Sequence, residues 1–251
     1  MTFEQYTTFT WAWIAIAAAV FILLLFVTAP YGRHTKTNWG PLIDNKIGWF
    51  IMEFFLLVVL FYFILTGENI QSGVNMIIIA IISIHYINRS VIFPLRIKTK
   101  GKKMPLTIVL MGLGFNLSNG FLFGYYLGEF KVYSIDWLTT PQFIIGSIIF
   151  ITGAIINKHS DAVLINLRKP NETSYKIPQG GLFKYVSCPN LFGEVIEWLG
   201  FAILTWSLPG IAFFVWTFAN LVPRAISHHK WYLSHFEDYP KERKAVFPFL
   251  W

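Results

Sequence analysis

Long apolar runs are the feature of this sequence that most restricts its fold. Five of them are long enough to cross about 30 Å of hydrocarbon as helices. They extend from Phe9 to Pro30, Gly48 to Thr66, Val74 to Pro94, Pro105 to Leu127 and Pro141 to Ile156. A further run, Leu191 to Val222, is too long for one helix and contains Pro209 and Gly210, so we divide it into two. The sequence therefore predicts an all-α integral membrane protein with seven transmembrane helices.

Basic residues in the loops predict the orientation of these helices, because Lys and Arg accumulate on the cytoplasmic side of short connections. No Lys or Arg precedes the first run, and the fourth connection has only Lys131. Basic groups follow the first, third, fifth and seventh runs: Arg33, Lys36 and Lys46; Arg96, Lys98, Lys100, Lys102 and Lys103; Lys158, Arg168, Lys169, Lys176 and Lys184; Arg224, Lys230, Lys241, Arg243 and Lys244. This alternation predicts an outside N-terminus and a cytoplasmic C-terminus.

Composition supports the membrane assignment and excludes other classes. The 251 residues are 55% hydrophobic and only 13% charged, about half the charged fraction usual in soluble domains. The net charge of +7 is spread over the loops, which favours membrane orientation and contact with membrane lipid over nucleic-acid binding. One cysteine, Cys188, rules out an internal disulfide and a cysteine zinc site. We expect a single membrane domain, 1–251, without an obligatory protein partner.

The longest polar segments, 157–190 and 228–251, both fall on the predicted cytoplasmic side. Their Asn, Asp, Ser, Arg and Tyr side chains can hydrogen-bond a nucleotide, although a solvated loop has the same composition. Neither a G-x-G-x-x-G nor a P-loop motif occurs, which excludes those two ways of holding one. Arg224, His228 and Tyr232 follow at i+4 spacing, a basic stripe suited to a pyrophosphate or to anionic lipid headgroups. The histidines lack the flanking ligands of a metal site.

Two polar residues inside predicted spans are candidates for chemistry. Glu53 lies in an apolar run, where loss of water disfavours the charged carboxylate, so we expect a neutral acid that can donate a hydrogen bond. Tyr86 contributes a phenol to the third span, near His85 and Arg89. An acid and a phenol together can polarise a ketone oxygen. The alternative for each residue is a hydrogen bond between helices.

Several motifs together resemble the steroid 5α-reductase family. The most specific are GLFKYVSCPNLFGEVIEW and LVPRAISHHKWYLSHFEDYPKERKAVFPF, with the Asn-Leu-Phe-Gly-Glu element, the HH-x-x-Y stretch and the DYPKxRKA ending at the family's spacing. The similarity extends upstream through INKHSDAVLINLRKP, SNGFLFGYYL, HYINR, MEFF and APYGRHT, and so covers nearly the whole chain. It is weakest in the first span.

The resemblance implies an activity and a set of site residues. In this family NADPH delivers hydride to the β-carbon of a conjugated enone, a Δ4-3-oxosteroid, while an acid and a tyrosine polarise the ketone; these roles would fall to Glu53 and Tyr86. The residues that would bind NADPH are Asn157, Asp161, Arg168, Tyr175, Asn190, Glu194, Arg224, His228 and Tyr232, with Tyr31 and Arg89 assisting. Those that would shape the substrate pocket are Trp49, Phe115, Asn119 and Trp198. The pocket would come mainly from helices within 9–127, and the NADPH region mainly from 157–251.

Other functions remain open at this level. Related membrane reductases act on polyprenals, enoyl thioesters or sterol double bonds. Isoprenylcysteine-type membrane methyltransferases share a related C-terminal architecture and bind S-adenosylmethionine, and a non-catalytic membrane protein would also suit the apolar runs. The chain departs from the steroid enzymes at Met52, where they carry Gln before the acid, so support of the ketone is expected to differ. A multi-pass protein of this type belongs in a bacterial inner membrane or in the endoplasmic reticulum, depending on its host.

Overall fold

The computed structural model describes residues 1–69, 72–98, 101–167, 172 and 174–250. Its architecture is mostly helical, with one short antiparallel ribbon in which β1 (Leu42–Asp44) pairs with β2 (Lys103–Pro105) and Ile43 lies opposite Met104. The α-helices are α1 (Phe3–Phe26), α2 (Asn45–Thr66), α3 (Gly73–Ile87), α4 (Phe93–Arg96), α5 (Leu106–Tyr125), α6 (Pro141–Asn166), α7 (Pro189–Thr205) and α8 (Leu208–His235). Asp44 caps α2 by accepting hydrogen bonds from the amides of Lys46 and Ile47.

Six helical segments in the described residues are long and apolar enough to cross a membrane, judged by length and composition. They are Phe3–Phe26, Asn45–Thr66, Gly73–Arg96, Leu106–Phe130, Pro141–Asn166 and Leu208–His235. Large apolar side chains such as Phe26, Leu65 and Ile155 stand exposed on them, as expected where hydrocarbon rather than water is the solvent. The remaining predicted span corresponds to α7, which is 17 residues long.

The predicted division of the run from Leu191 to Val222 is confirmed, and the break falls just before the proline. Helix α7 ends at Thr205, and Trp206 takes the left-handed conformation with φ 44°. Ser207 then caps α8 by accepting from the amide of Gly210. Pro209 lies in the first turn of α8, where a missing N–H costs no helical hydrogen bond, so it starts the new helix instead of interrupting it.

Pro94 explains an irregularity between α3 and α4. Residues Asn88–Ile92 form a π-helical segment that joins the two α-helices. A proline ring crowds the carbonyl four residues earlier and supplies no N–H, and a wider turn relieves that conflict within a continuous helix. Ser90 adds a hydrogen bond, because its hydroxyl donates to the carbonyl oxygen of Tyr86 at 2.6 Å.

The chain divides into two compact units. The first unit comprises Met1–Glu4 and Ala29–Thr140, and the second comprises Gln5–Thr28 and Pro141–Trp251. In the first unit, α2 packs along α5. In the second, α1 is attached to α8 by a hydrogen bond from the indole N–H of Trp216 to the carbonyl oxygen of Trp13, 3.0 Å long.

Close helix packing in the second unit depends on two pairs of glycines. Gly146 faces Gly200, and Gly153 faces Gly193, so the pairs lie seven residues apart on both α6 and α7. A Cβ on Gly153 would collide with the backbone nitrogen of Glu197, and one on Gly193 with that of Asn157. The two backbones therefore approach more closely than larger side chains allow, and polar residues on facing turns come within hydrogen-bonding reach.

Candidate functional site

An arginine set among aromatic rings is the first element of the site in the first unit. The guanidinium carbon of Arg89 lies 4.9 Å from the ring centroid of Trp49 and 4.9 Å from that of Phe93. Tyr31 meets Trp49 edge to face at 6.3 Å. The π segment carries Arg89, while α2 carries Trp49. Cation–π contacts of this kind hold the guanidinium plane in place without neutralising its charge.

Glu53 and Tyr86, the predicted polarising pair, both belong to the first unit. Glu53 is half-buried on α2, one turn after Trp49. Tyr86 is 3% exposed and lies in the last turn of α3, where its ring contacts that of His85. Helix α2 packs against both α3 and the π segment, so the structure assigns the acid and the phenol to neighbouring helices.

The four predicted pocket residues are distributed over both units. Phe115 and Asn119 lie one turn apart on α5 of the first unit, and the Asn119 amide donates to the Phe115 carbonyl oxygen at 2.8 Å. Trp198 belongs to the second unit, where it is 1% exposed and packs against Phe213 with ring centroids 4.2 Å apart. Trp198 thus serves as a core side chain of its own unit.

A buried polar cluster on α6 and α7 is the main feature of the second unit. Asn157 donates to the carbonyl oxygen of Asn190 at 3.0 Å and to Oε2 of Glu194 at 3.4 Å. Asn190 in turn donates to Oδ1 of Asp161 at 3.0 Å. Asn157 and Asp161 are at most 7% exposed. The structure thus joins four predicted nucleotide-binding residues in one network at the N-terminus of α7.

The predicted stripe on α8 lies in the same unit. Arg224 is 7% exposed and Tyr232 is 2% exposed, while His228 is half-buried between them. Tyr175 contacts Trp231 with ring centroids 4.9 Å apart. Helix α8 continues past Val222, where the apolar run ends, to His235. Arg168, also predicted to bind the cofactor, lies outside the described residues.

A network in the C-terminal tail was not predicted. The Ser187 hydroxyl lies 2.6 Å from Nδ1 of His229 and 2.6 Å from the hydroxyl of Tyr239. Arg243, 3% exposed, donates to the carbonyl oxygen of Pro178 at 3.0 Å and to Oε1 of Gln179 at 2.9 Å. Its guanidinium also lies over the Tyr239 ring at 5.2 Å. Arg243 therefore fastens the tail to the protein. The sequence signal was the DYPKERKA ending, in which Tyr239 and Arg243 stand four residues apart.

Burial raises the pKa of the Tyr239 phenol above its ordinary value of 10.0, while hydrogen bonds to Ser187 and Arg243 act in the opposite direction. The phenol is therefore neutral at physiological pH and keeps its proton for hydrogen bonding.

Among the described residues, no group of three His, Cys, Asp or Glu side chains could hold a metal ion.

Helices long and apolar enough to span a membrane, together with polar clusters buried among them, are typical of an integral membrane protein. Comparison with known proteins identifies its kind. The profile of the 3-oxo-5-alpha-steroid 4-dehydrogenase family matches residues 102–251, and the chain belongs to this family. Its members are oxidoreductases acting on CH–CH bonds, so the chain is an enzyme of that class, and the resemblance seen in the sequence motifs is confirmed.

Full-length relatives agree with the family match. The chain is 44% identical over 240 residues to 3-oxo-5-alpha-steroid 4-dehydrogenase 1 of Bos taurus, covering 94% of this chain and 93% of the relative. It is 43% identical over 261 residues to a steroid 5-alpha-reductase of Arabidopsis thaliana, covering 100% and 97%. The Homo sapiens 3-oxo-5-alpha-steroid 4-dehydrogenase 1 is 42% identical over 238 residues, covering 94% and 92%. The similarity thus includes both units.

Proposed function

We propose that this protein reduces the Δ4 double bond of a 3-oxosteroid with NADPH and releases the 5α-reduced 3-oxosteroid. The observation that carries the proposal is identity of 42–44% to steroid 5-alpha-reductases and 3-oxo-5-alpha-steroid 4-dehydrogenases over nearly the whole chain. The substrate is lipophilic and reaches the site from the bilayer, whereas the cofactor is water-soluble and enters from the cytoplasm.

The polar cluster of the second unit suits a dinucleotide. Its carboxylates, Asp161 and Glu194, accept hydrogen bonds from ribose hydroxyls or a carboxamide, and its asparagines both donate and accept. Arg224 supplies a buried positive charge for phosphate. The proposed NADPH ligands are Asn157, Asp161, Arg168, Tyr175, Asn190, Glu194, Arg224, His228 and Tyr232, assisted by Tyr31 and Arg89. When bound, NADPH would supply the hydride.

Glu53 and Tyr86 would act on the ketone. Both donate a hydrogen bond to the carbonyl oxygen, which draws electron density from the conjugated system and makes the β-carbon electrophilic. Negative charge that develops on the oxygen as the β-carbon is reduced is stabilised by the same two donors. Protonation of the α-carbon then completes the saturated ketone. The residues that would shape the pocket are Trp49, Phe115, Asn119 and Trp198. Exclusion of water by the surrounding bilayer would strengthen the hydrogen bonds from Glu53 and Tyr86 to the ketone oxygen.

We also propose a topology. Helix α7 would serve as the seventh span, with the N-terminus outside and the C-terminus in the cytoplasm, so that both polar segments face the cytoplasm. At about 1.5 Å per residue, the 17 residues of α7 cover slightly less than the usual hydrocarbon thickness. The glycine pairs pack α7 closely against α6, so much of its surface would contact protein rather than lipid. The chain would work as one membrane domain, in a bacterial inner membrane or the endoplasmic reticulum according to its host.

Incubation of the purified protein with NADPH and a Δ4-3-oxosteroid tests the function. We expect loss of NADPH absorbance in step with formation of the 5α-reduced ketone, identified by mass spectrometry and by chromatography against 5α and 5β standards. A polyprenal, an enoyl thioester and a sterol with an isolated double bond serve as competing substrates. Selective reduction of one of these compounds in place of the steroid would show that the enzyme belongs with the membrane reductases that act on that substrate class. No NADPH oxidation with any conjugated enone would contradict the proposal.

A further inference from the structure

A buried asparagine on α5 is hydrogen-bonded to the backbone of α2, immediately before Glu53. The side-chain amide of Asn116 donates to the carbonyl oxygen of Met52 at 2.6 Å, across 64 residues of sequence. Asn116 is 2% exposed, and Met52 is 7% exposed. This bond therefore lies inside the interface of two spanning helices, where water does not compete for the donor.

Asn116 interrupts a row of glycines. Positions 112, 116, 120, 124 and 128 lie at i+4 spacing along α5 and a second π-helical segment, Tyr126–Phe130, that follows it; apart from Asn116, all of these residues are glycine. A Cβ on Gly120 would lie 3.0 Å from the Leu56 carbonyl oxygen, and one on Gly124 would lie 2.8 Å from that of Leu60. The glycines bring the two backbones together, and the one longer side chain in the row reaches across to Met52.

Stability alone accounts poorly for Asn116. Its Oδ1 atom is buried and makes no hydrogen bond within the described part of the chain. Burial of the unsatisfied Oδ1 acceptor in an apolar interface costs free energy, and this cost offsets much of the stabilisation that the donated hydrogen bond provides. An apolar side chain of similar size would leave no buried acceptor unsatisfied. The bond to Met52 is thus the feature that distinguishes asparagine at this position.

Met52 connects that bond to the acid. Its side chain packs with Met104 and Val109, and a Cβ on Gly112 would lie 2.9 Å from its sulfur. Both its side chain and its carbonyl oxygen are thereby attached to the α5 side of the interface. The carbonyl of Met52 and the nitrogen of Glu53 belong to one planar peptide group. A hydrogen bond to that oxygen therefore fixes the orientation and the position, relative to α5, of the peptide group from which Glu53 extends.

We propose that Asn116 is a positioning residue for Glu53, acting through the Met52 peptide group. It sets the distance from the Glu53 carboxyl group to the ketone oxygen and does not itself contact the substrate. This inference depends on the proposed role of Glu53 as the polarising acid. The acceptor is a backbone oxygen, so the bond does not require a particular side chain at position 52, where methionine packs with Met104 and Val109.

A double-mutant cycle tests the proposal. We expect Asn116→Ala to lower kcat about 10- to 100-fold, the range for a misplaced catalytic group, while KM for the steroid and Kd for NADPH stay within about twofold. In a Glu53→Gln background the same substitution should cost less than about threefold, because the acid whose position it controls is already gone. Full additivity, with the same loss of kcat in both backgrounds, would overturn the proposal.

Asn75→Ala is the matched control. Asn75 is also a buried asparagine of the first unit, and it donates to the carbonyl oxygens of Leu127 and Lys131 and accepts from the amide of Tyr133. Its replacement should lower thermal stability, and any effect on kcat should be the same with Glu53 and with Gln at position 53. Coupling of Asn75→Ala to Glu53→Gln as strong as that of Asn116→Ala would mean that general loosening of the unit explains the result.

Asn116→Asp keeps the shape and serves if the alanine variant fails to fold. A charged aspartate repels the Met52 carbonyl oxygen, whereas a protonated one donates to it again. We expect its kcat relative to the wild type to rise as the pH falls through the pKa of the introduced carboxyl group, or to stay near the wild-type value throughout if burial keeps that group protonated. A ratio that stays low at every pH would overturn the proposal. The inference and the proposed function fail differently. If Glu53→Gln alone leaves kcat unchanged, the role of the acid is wrong; if Glu53→Gln is slow but Asn116 is not coupled to it, only the positioning role is wrong.

Discussion

Tyr232 and Tyr239 lie face to face, with ring centroids 5.0 Å apart and ring planes 8° from parallel. Tyr232 belongs to α8 and is a proposed NADPH ligand, whereas Tyr239 belongs to the tail and is hydrogen-bonded to Ser187. The tail therefore supports the side chain that would meet the nucleotide. Residues outside the spanning helices would therefore contribute to the proposed binding of NADPH.

Tyr239→Leu should weaken NADPH binding about fivefold, because loss of an aromatic pair costs about 1 kcal/mol. Tyr239→Phe keeps the stack and loses only the hydroxyl contact, so its Kd should rise less than about threefold. Since burial raises the pKa of this phenol above 10.0, it is uncharged from about pH 6 to about pH 9, and both effects should be independent of pH there. Fluorescence titration of NADPH measures them. Equal losses in the two variants would contradict a role for the stack.

Arg243→Gln should loosen the tail. This guanidinium donates hydrogen bonds to oxygen atoms of Pro178 and Gln179. Hydrogen bonds that involve a charged group contribute about 1.5–3 kcal/mol each. We expect thermal unfolding in detergent at a temperature lower by several degrees and faster proteolysis after residue 236. The control is Lys244→Ala, an exposed neighbour whose backbone alone bonds to Tyr185 and Ser187. Matching behaviour of the two variants would show that the buried guanidinium has no special part.

Glu53→Gln and Tyr86→Phe should each lower kcat about 10²- to 10³-fold, the usual cost of removing one donor to a developing oxyanion. NADPH affinity should change little, because the proposed nucleotide ligands are mainly other residues. Single-turnover reduction of a Δ4-3-oxosteroid separates this chemical step from product release. Near-normal turnover in either variant would remove that residue from the polarising pair.

Gly153→Ala should destabilise the second unit by about 1–3 kcal/mol, because the added Cβ meets backbone atoms of α7 that cannot move aside cheaply. NADPH affinity should fall with it, since Asn157 lies one turn away and depends on the same approach of α6 to α7. Gly114→Ala is the control, because nothing lies within 4 Å of a Cβ there; it should be neutral or stabilise by up to about 1 kcal/mol. Thermal unfolding and NADPH titration report both quantities. A neutral Gly153→Ala would contradict the close packing.

Sequence alone located the apolar parts of the helices and the break before α8, but not the polar ends of α6 at Asn166 and of α8 at His235. In hydrocarbon every backbone N–H and C=O must be bonded within the segment, so apolar length translates directly into a helix. The effect of proline is also local, because its missing backbone N–H disfavours the interior of a helix whatever the tertiary contacts are. The motifs around Asn190 and Tyr232 indicated the family for a related reason: residues that meet a ligand at fixed distances recur at fixed spacings.

Only the tertiary structure decided which partners those residues have. Basic composition alone would have allowed Arg243 to bind phosphate, yet its guanidinium bonds to Pro178 and Gln179. Asn116 carried no signal at all, since its partner is 64 residues away and is a backbone oxygen. Contacts of this kind depend on how closely two helices approach, which is set by the glycines on their facing sides. Glu53 was therefore identified as a candidate acid by its sequence environment, and the packing of α2 on α5 determines where that acid is held.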